Sequence, residues 1–130
     1  MCAAALLVLA AVVAAGCGSE DHANEPRPPV PIDLSARIDN GRVEIAPRDV
    51  GAGVATITIS NQSADEVELS FNGPGQDSQT DGIPAGGVSS IKLDLAEGDY
   101  LIEPDVSSIA SAELAVGPPR KSAQNELLLP

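Results

Sequence analysis

The stretch VATITIS, residues 54–60, alternates apolar and hydroxyl-bearing side chains along most of its length. Successive side chains of a β-strand point to opposite faces, so this alternation predicts a strand with one buried face. The segment EVELSF, residues 66–71, repeats the pattern, and the turn-forming residues NQSAD lie between the two segments. The residues predicted to face inward are Ala55, Ile57, Ile59, Val67, Leu69 and Phe71.

Alternation with a period of two also covers most of the chain on either side of these segments. It predicts further strands within 32–38, 43–45, 90–95, 98–104 and 111–116. The dipeptide Asn40-Gly41 is typical of a tight hairpin turn. Residues 72–87 are rich in Gly, Pro and Asp, which predicts a long loop. We therefore predict an all-β domain over residues 30–117, a Greek-key antiparallel β-sandwich of about seven strands.

The only tyrosine of the chain, Tyr100, closes the segment LAEGDY. This segment resembles the tyrosine corner of Greek-key sandwiches, in which the tyrosine hydroxyl hydrogen-bonds to backbone slightly upstream. We therefore expect Tyr100 to have a structural role, because a buried tyrosine normally needs such a partner for its hydroxyl.

Residues 50–117 resemble the cupredoxin-like domain. The resemblance is carried by three segments: VGAGVATITISNQS, IPAGGVSSIKLDLAEGDYLIEPD and the closing strand AELAVG. It implies a Greek-key sandwich of the cupredoxin-like or immunoglobulin-like type.

The copper of that family is held by two His, one Cys and usually a weakly bound Met. Carried over by position, the first His would fall at Glu66 or Val67 and the Cys near Pro104. No Met follows Met1, and the single His, His22, precedes the predicted domain. We therefore expect no copper, no electron-transfer role and no other cofactor.

An uncharged, apolar run opens the sequence and ends at VAAGC, residues 13–17. As a helix its core would reach about 20 Å, short of the roughly 30 Å hydrocarbon layer of a bilayer. Small residues followed by Cys17 resemble the lipobox of bacterial lipoproteins, which implies cleavage before Cys17 and its modification by acyl chains such as palmitate. Residues 1–16 are then a signal peptide and residues 17–29 a lipidated N-terminus and flexible tether. The alternatives are an ordinary cleaved signal with an incidental cysteine, and an uncleaved anchor.

Composition excludes several function classes. The formal net charge of −12 disfavours nucleic acid, since its binding depends on Lys and Arg neutralising phosphates. The predicted domain contains neither His nor Cys, so it has no Ser-His-Asp or Cys-His set and we do not expect an enzyme. Asp77 and Asp81 resemble positions one and five of a calcium-binding loop and predict a weak Ca²⁺ site at most. The glycosylation sequon that begins at Asn61 is expected to be accidental.

Residues 118–130 are predicted to form a C-terminal tail. Its three leucines, Leu127, Leu128 and Leu129, either pack on the domain or contact a partner. The whole chain resembles small, uncharacterised envelope lipoproteins. We therefore expect an exported, lipid-anchored module on the outer face of the cell membrane that binds another envelope protein or acts as a spacer. The alternative is a small-ligand carrier or an enzyme that uses the loop at 72–87.

Overall fold

The computed structural model describes residues 28–121, and within this range the predicted all-β class is confirmed. The predicted signal peptide, Cys17, His22 and the leucines at 127–129 lie outside the described residues. No helix of the described range is long and apolar enough to cross a bilayer. The strands are β1 (Ile32–Ile38), β2 (Val43–Ala46), β3 (Asp49–Asn61), β4 (Leu69–Asn72), β5 (Ser78–Gln79), β6 (Val88–Leu95), β7 (Gly98–Pro104) and β8 (Ala112–Pro119).

Strand β3 is shared by the two halves of the sandwich. Its second half pairs with β1 and β6, so one half has the order β2-β1-β3-β6. The first half of β3 pairs with β8, so the other half of the sandwich has the order β3-β8-β7-β4-β5. The pairs β1–β3 and β3–β8 are parallel, so the sandwich is mixed and not antiparallel throughout. Alternation indicates which side chains face inward but not the direction of the neighbouring strand, so the sequence contained no signal for these parallel pairs.

One apolar core lies between the two halves. All six residues predicted to face inward from the segments 54–60 and 66–71 are fully buried. They are joined by apolar side chains from every other strand except β5. The remaining buried members are Leu34, Ala36, Ile38, Val43, Ile45, Ala52, Ile83, Leu93, Leu95, Tyr100, Ile102, Ile109, Leu114 and Val116.

Residues 72–87 are more structured than the predicted long loop. Ser78 and Gln79 form β5, which pairs antiparallel with β4. Ile83 is buried and forms an isolated bridge with Val67. A strand of two polar residues is too short for alternation to be visible, so composition alone predicted a loop.

The predicted turn at Asn40-Gly41 is present, but its geometry depends on the residue before it. The carboxylate oxygen Oδ1 of Asp39 accepts hydrogen bonds from the N–H groups of Gly41 and Arg42, each at 2.8 Å. Neither Asn40 nor Gly41 has a positive φ, whereas the tight two-residue turn that Asn-Gly favours requires it. The turn is therefore one capped by an aspartate side chain.

The pKa of Asp39 is lowered, first by the hydrogen bond from Gly41 and next by that from Arg42. The ionised form is thus favoured in the folded state. This contribution to stability is present at neutral pH and is lost as the pH falls through the lowered pKa.

Tyr100 forms the hydrogen bond that the tyrosine-corner resemblance implies. Its side chain is buried, and its hydroxyl accepts a hydrogen bond from the N–H of Ala96 at 3.0 Å. Gly73 lies against the ring, where an added Cβ would come within 2.3 Å of Cδ1. The hydroxyl thus stabilises the turn between β6 and β7 while the ring extends the core.

We expect Tyr100→Phe to lower the free energy of unfolding by about 1 kcal/mol, because the Ala96 N–H loses its acceptor while the ring stays in place. Urea denaturation followed by circular dichroism measures the change. Tyr100→Leu also removes the ring and should be clearly more destabilising. Equal stability of Tyr100→Phe and the wild type would contradict a structural role for the hydroxyl.

Candidate functional site

Four connecting segments meet at one end of the sandwich, here called the loop end: residues 39–42, 62–67, 83–87 and 105–111. Ala64 N–H donates to Asn40 Oδ1 at 2.9 Å, and Ala110 N–H donates to the carbonyl of Gly41 at 2.9 Å. Because these bonds join segments far apart in sequence, the loop end is a connected surface.

The loop end also contains the positions at which the cupredoxin resemblance would place copper ligands. Strands β4 and β7 bring these positions close together, since Leu69 pairs with Pro104. Asp105 strengthens the connection, because its Oδ1 accepts a hydrogen bond from the N–H of Glu68 at 2.9 Å. The strand topology thus brings together the positions that correspond to the copper ligands of the cupredoxin-like domain.

The side chains at these positions do not fit a copper ion of the blue-copper type. Val67 is fully buried in the apolar core, and its backbone is bonded in both directions to Ile83. Pro104 offers no side-chain donor atom, and Glu66 lies against Gly82. Blue-copper sites need imidazole and thiolate ligands. Within residues 28–121 no group of three or more His, Cys, Asp or Glu side chains is placed to hold a metal ion.

The buried side chain of Asn61 connects two segments of the loop end. The sequence indicated only that Asn61 belongs to a turn-forming stretch and did not predict this role. Its side chain is fully buried. The Nδ2 group donates to the carbonyls of Asp65 and Ile83, both at 2.8 Å. Its Oδ1 accepts hydrogen bonds from Ser63, from N–H at 3.0 Å and from Oγ at 2.7 Å. Since both amide hydrogens are used inside the protein, glycosylation of Asn61 would require this end to open.

The opposite end of the sandwich is closed by Arg120, a residue that the sequence assigned to the tail. Its guanidinium donates to the carbonyls of Val30 at 2.9 Å, Val54 at 2.7 Å and Ala52 at 3.4 Å. Gly53 has a φ of 137°, and an added Cβ there would lie 2.6 Å from Arg120 Nη2. This arrangement, called the Arg120 clasp below, holds the start and the end of the described chain together. β1 separates it from the loop end by about 20 Å.

A half-open cavity of about 970 Å³ is lined by residues 42–49 and 110–115 and extends to Asn72 of β4 and Leu101 of β7. Arg42 and Arg48 line it together with Asp99 and Glu113, so both signs of charge are present. Of the predicted loop at 72–87, only Asn72 reaches this cavity. Sequence reasoning missed the site because its walls come from strands that the alternation pattern assigns to ordinary sheet.

Asp77 and Asp81 are both exposed and flank β5. Thr80, between β5 and Asp81, is tied to β4 through its N–H, which donates to the carbonyl of Leu69 at 2.9 Å. The weak Ca²⁺ site remains a prediction.

The chain matches no protein-family description and no curated protein. Among solved structures it is similar to the reduced auracyanin of the photosynthetic bacterium Roseiflexus castenholzii, with 12% identity and a TM-score of 0.51 over 71% of this chain and 100% of the other. It is also similar to auracyanin A, a blue copper protein of Chloroflexus aurantiacus, with 15% identity and a TM-score of 0.52 over 68% of this chain and 100% of the other. At this level of identity the likeness concerns the fold alone. The fold is therefore cupredoxin-like.

Proposed function

We propose that this protein is a lipid-anchored, non-catalytic module of the cell envelope, exported to the outer face of the membrane, that binds another envelope protein or acts as a spacer. The observation that carries the proposal is the combination of Cys17 after a short apolar run with a cupredoxin-like fold whose metal positions hold Val67 and Pro104. Such a domain has a scaffold for presenting loops but not the ligands for electron transfer.

The position of the Arg120 clasp supports a specific orientation of the domain, with the loop end facing away from the membrane. Val30, where the tether joins the domain, is within hydrogen-bond distance of Arg120 at the other end of the described chain. With Cys17 in the membrane, the tether would approach the clasp end, and the loop end would face away. The loop end is thus our proposed contact surface for a partner. The leucines at 127–129 are a second proposed contact, because three adjacent leucines cannot all face one side of a strand or of a helical turn.

We expect Cys17→Ser to move the protein from the membrane fraction to the soluble fraction of a bacterial host, since two or more acyl chains are needed for stable anchoring. Mass spectrometry of the N-terminal peptide should find the wild-type Cys17 with a diacylglyceryl group on its thiol, often with a further acyl chain on its freed amine. Cys2→Ser is the matched control and should leave both results unchanged. An unmodified Cys17, or a Cys17→Ser protein that remains wholly in the membrane fraction, would refute lipid anchoring.

Cross-linking in intact cells tests the binding role. A single envelope protein captured by the wild type and lost after substitutions at the loop end would support the proposed contact surface. If no specific protein is captured, the spacer role is favoured. If a small molecule copurifies with the domain, the carrier alternative is favoured.

A further inference from the structure

The sequence contains two Asn-Gly dipeptides, Asn40-Gly41 and Asn72-Gly73, and the structure places them in different surroundings. In such a dipeptide the backbone nitrogen of glycine can attack the side-chain amide carbon of asparagine, because glycine has no Cβ to shield its nitrogen. The attack requires a backbone that lets the two atoms approach each other. The two dipeptides should therefore differ in reactivity.

Asn40 lies in the turn between β1 and β2, at the loop end. Asn40 and Gly41 are both exposed and belong to no strand. The Oδ1 atom of Asn40 accepts a hydrogen bond from the N–H of Ala64 at 2.9 Å, whereas its Nδ2 group has no hydrogen-bond partner among the described residues. The side-chain carbonyl is thus polarised by a backbone donor, and the amide nitrogen is left to the solvent.

Asp39 contacts the attacking nitrogen. Its Oδ1 accepts a hydrogen bond at 2.8 Å from the N–H of Gly41, the group that must lose its proton when it attacks. A carboxylate within hydrogen-bond distance of that proton can accept it. The same oxygen accepts the N–H of Arg42 at 2.8 Å, which fixes the carboxylate in the turn. The turn thus supplies a proton acceptor for the nitrogen and a donor for the carbonyl.

The surroundings of Asn72 are unfavourable for the same attack. Asn72 ends β4 and pairs with Leu101 of β7, so its backbone is held extended in the sheet. Its Nδ2 group donates to Glu103 Oε2 at 2.8 Å. Gly73 lies against the ring of Tyr100, where an added Cβ would come within 2.3 Å of Cδ1. Attack by the Gly73 nitrogen would require this end of β4 to leave its place.

We propose that Asn40 is a site of spontaneous deamidation, with Asp39 as the proton acceptor and the N–H of Ala64 as the donor to the developing oxyanion. The Gly41 nitrogen forms a bond to Asn40 Cγ and gives its proton to the Asp39 carboxylate. The Cγ–Nδ2 bond then breaks, and the nitrogen takes up that proton and leaves as ammonia. Water opens the resulting succinimide at one of its two carbonyls, which yields aspartate or isoaspartate. Water is the only other reactant.

Both products would alter the loop end. Aspartate keeps the backbone and adds one negative charge. Isoaspartate adds one carbon to the backbone before Gly41, whose carbonyl accepts the N–H of Ala110 at 2.9 Å. Isoaspartate should therefore weaken the bond between the segments 39–42 and 105–111. The effect on a bound partner rests on the proposed function, whereas the deamidation itself does not.

Tryptic peptide mapping by mass spectrometry tests the proposal on the full chain, incubated in a non-ionic detergent at neutral pH. The peptide 38–42 reports on Asn40. In the folded protein Asn40 should deamidate at least about tenfold faster than Asn72. In urea, where neither dipeptide is held by the fold, the two rates should be similar. Equal rates in the folded protein, or an Asn40 that stays intact, would overturn the proposal.

Two variants test the chemistry. In Gly41→Ala the added Cβ would lie 3.5 Å from Asp39 Oδ1, an ordinary contact, and φ is not positive, so the fold should persist while deamidation of Asn40 slows about tenfold. Asp39→Ser keeps an acceptor for the turn but removes the carboxylate. It should slow the reaction in the folded protein and leave the rate in urea unchanged.

An unchanged rate in Gly41→Ala would contradict the succinimide route, and an unchanged folded rate in Asp39→Ser would contradict the role of Asp39. If Asp39→Ser does not fold, the comparison of Asn40 with Asn72 in the wild type still decides. Hydrogen exchange provides a second readout, because the Ala110 amide should exchange faster in the isoaspartate form. Failure of these tests would leave the Cys17 and cross-linking experiments unaffected.

Discussion

Replacing Phe71 by alanine is expected to lower the free energy of unfolding by about 4 kcal/mol, the largest effect of any single substitution considered for this domain. Phe71 is the only phenylalanine of the chain and is fully buried. It pairs with Ile102 of β7 on one side and with Ser78 of β5 on the other. Its removal would leave a cavity at the centre of the core, and the surrounding strands can only partly close it.

Urea denaturation of the Phe71→Ala protein measures this loss, with the slope of the transition as a check that the unfolded state is unchanged. Phe71→Leu keeps most of the volume and should cost clearly less. Leu101→Ala is the matched surface control, since Leu101 is 37% exposed on the neighbouring strand. A loss of less than about 1 kcal/mol for Phe71→Ala would contradict the central position of this ring.

Asn61→Ala is expected to lower the free energy of unfolding by about 3 kcal/mol. The substitution removes four hydrogen bonds, two donated to the carbonyls of Asp65 and Ile83 and two accepted from Ser63. The Ile83 carbonyl keeps the N–H of Val67 as a donor, but the buried N–H of Ser63 is left without its acceptor. An unsatisfied buried polar group costs more than the hydrogen bond contributed, because it has already lost its water.

The Asn61 substitution should also act locally. Hydrogen exchange should accelerate in the segments 62–66 and 83–87, which Asn61 connects, and much less in β7 and β8. Ser63→Ala, which removes only one hydroxyl, is the matched control and should cost about 1 kcal/mol. Asn61→Asp keeps the acceptor but cannot donate to Asp65 and Ile83, so it should be at least as destabilising as Asn61→Ala. A stability loss without local acceleration of exchange would contradict the role of Asn61 at the loop end.

These two residues differ in how far the sequence predicted them. The inward position of Phe71 follows from the alternation in EVELSF alone. For Asn61 the sequence predicted only a place in a turn. Its role depends on a hydrogen bond to the carbonyl of Ile83, which lies 22 residues further along the chain. A side chain that bonds to distant backbone leaves no periodic signal in its own segment.

The candidate sites also differ in how much of each could be predicted from the sequence. The unsuitability of Glu66, Val67 and Pro104 as copper ligands could be argued from residue types, because no folding can give valine or proline a donor atom. The Arg120 clasp could not be predicted, since Arg120 follows two prolines in what composition indicates is a tail. Its role arises because β8 continues to Pro119 and places the guanidinium against Gly53.

The sequence by itself determined that the domain is built of strands and which side of the predicted strands is buried, because alternation with a period of two is a local property of the chain. It also predicted the hydrogen bond from nearby backbone to the Tyr100 hydroxyl, since the tyrosine-corner motif spans only a few residues. The tertiary structure decided which strands are neighbours, that β3 passes from one half of the sandwich to the other, and that Arg120 meets Val30 at one end of the sandwich. The physical reason is that any exposed strand edge offers the same N–H and C=O groups, so only the packing of distant segments selects the partner that each edge meets.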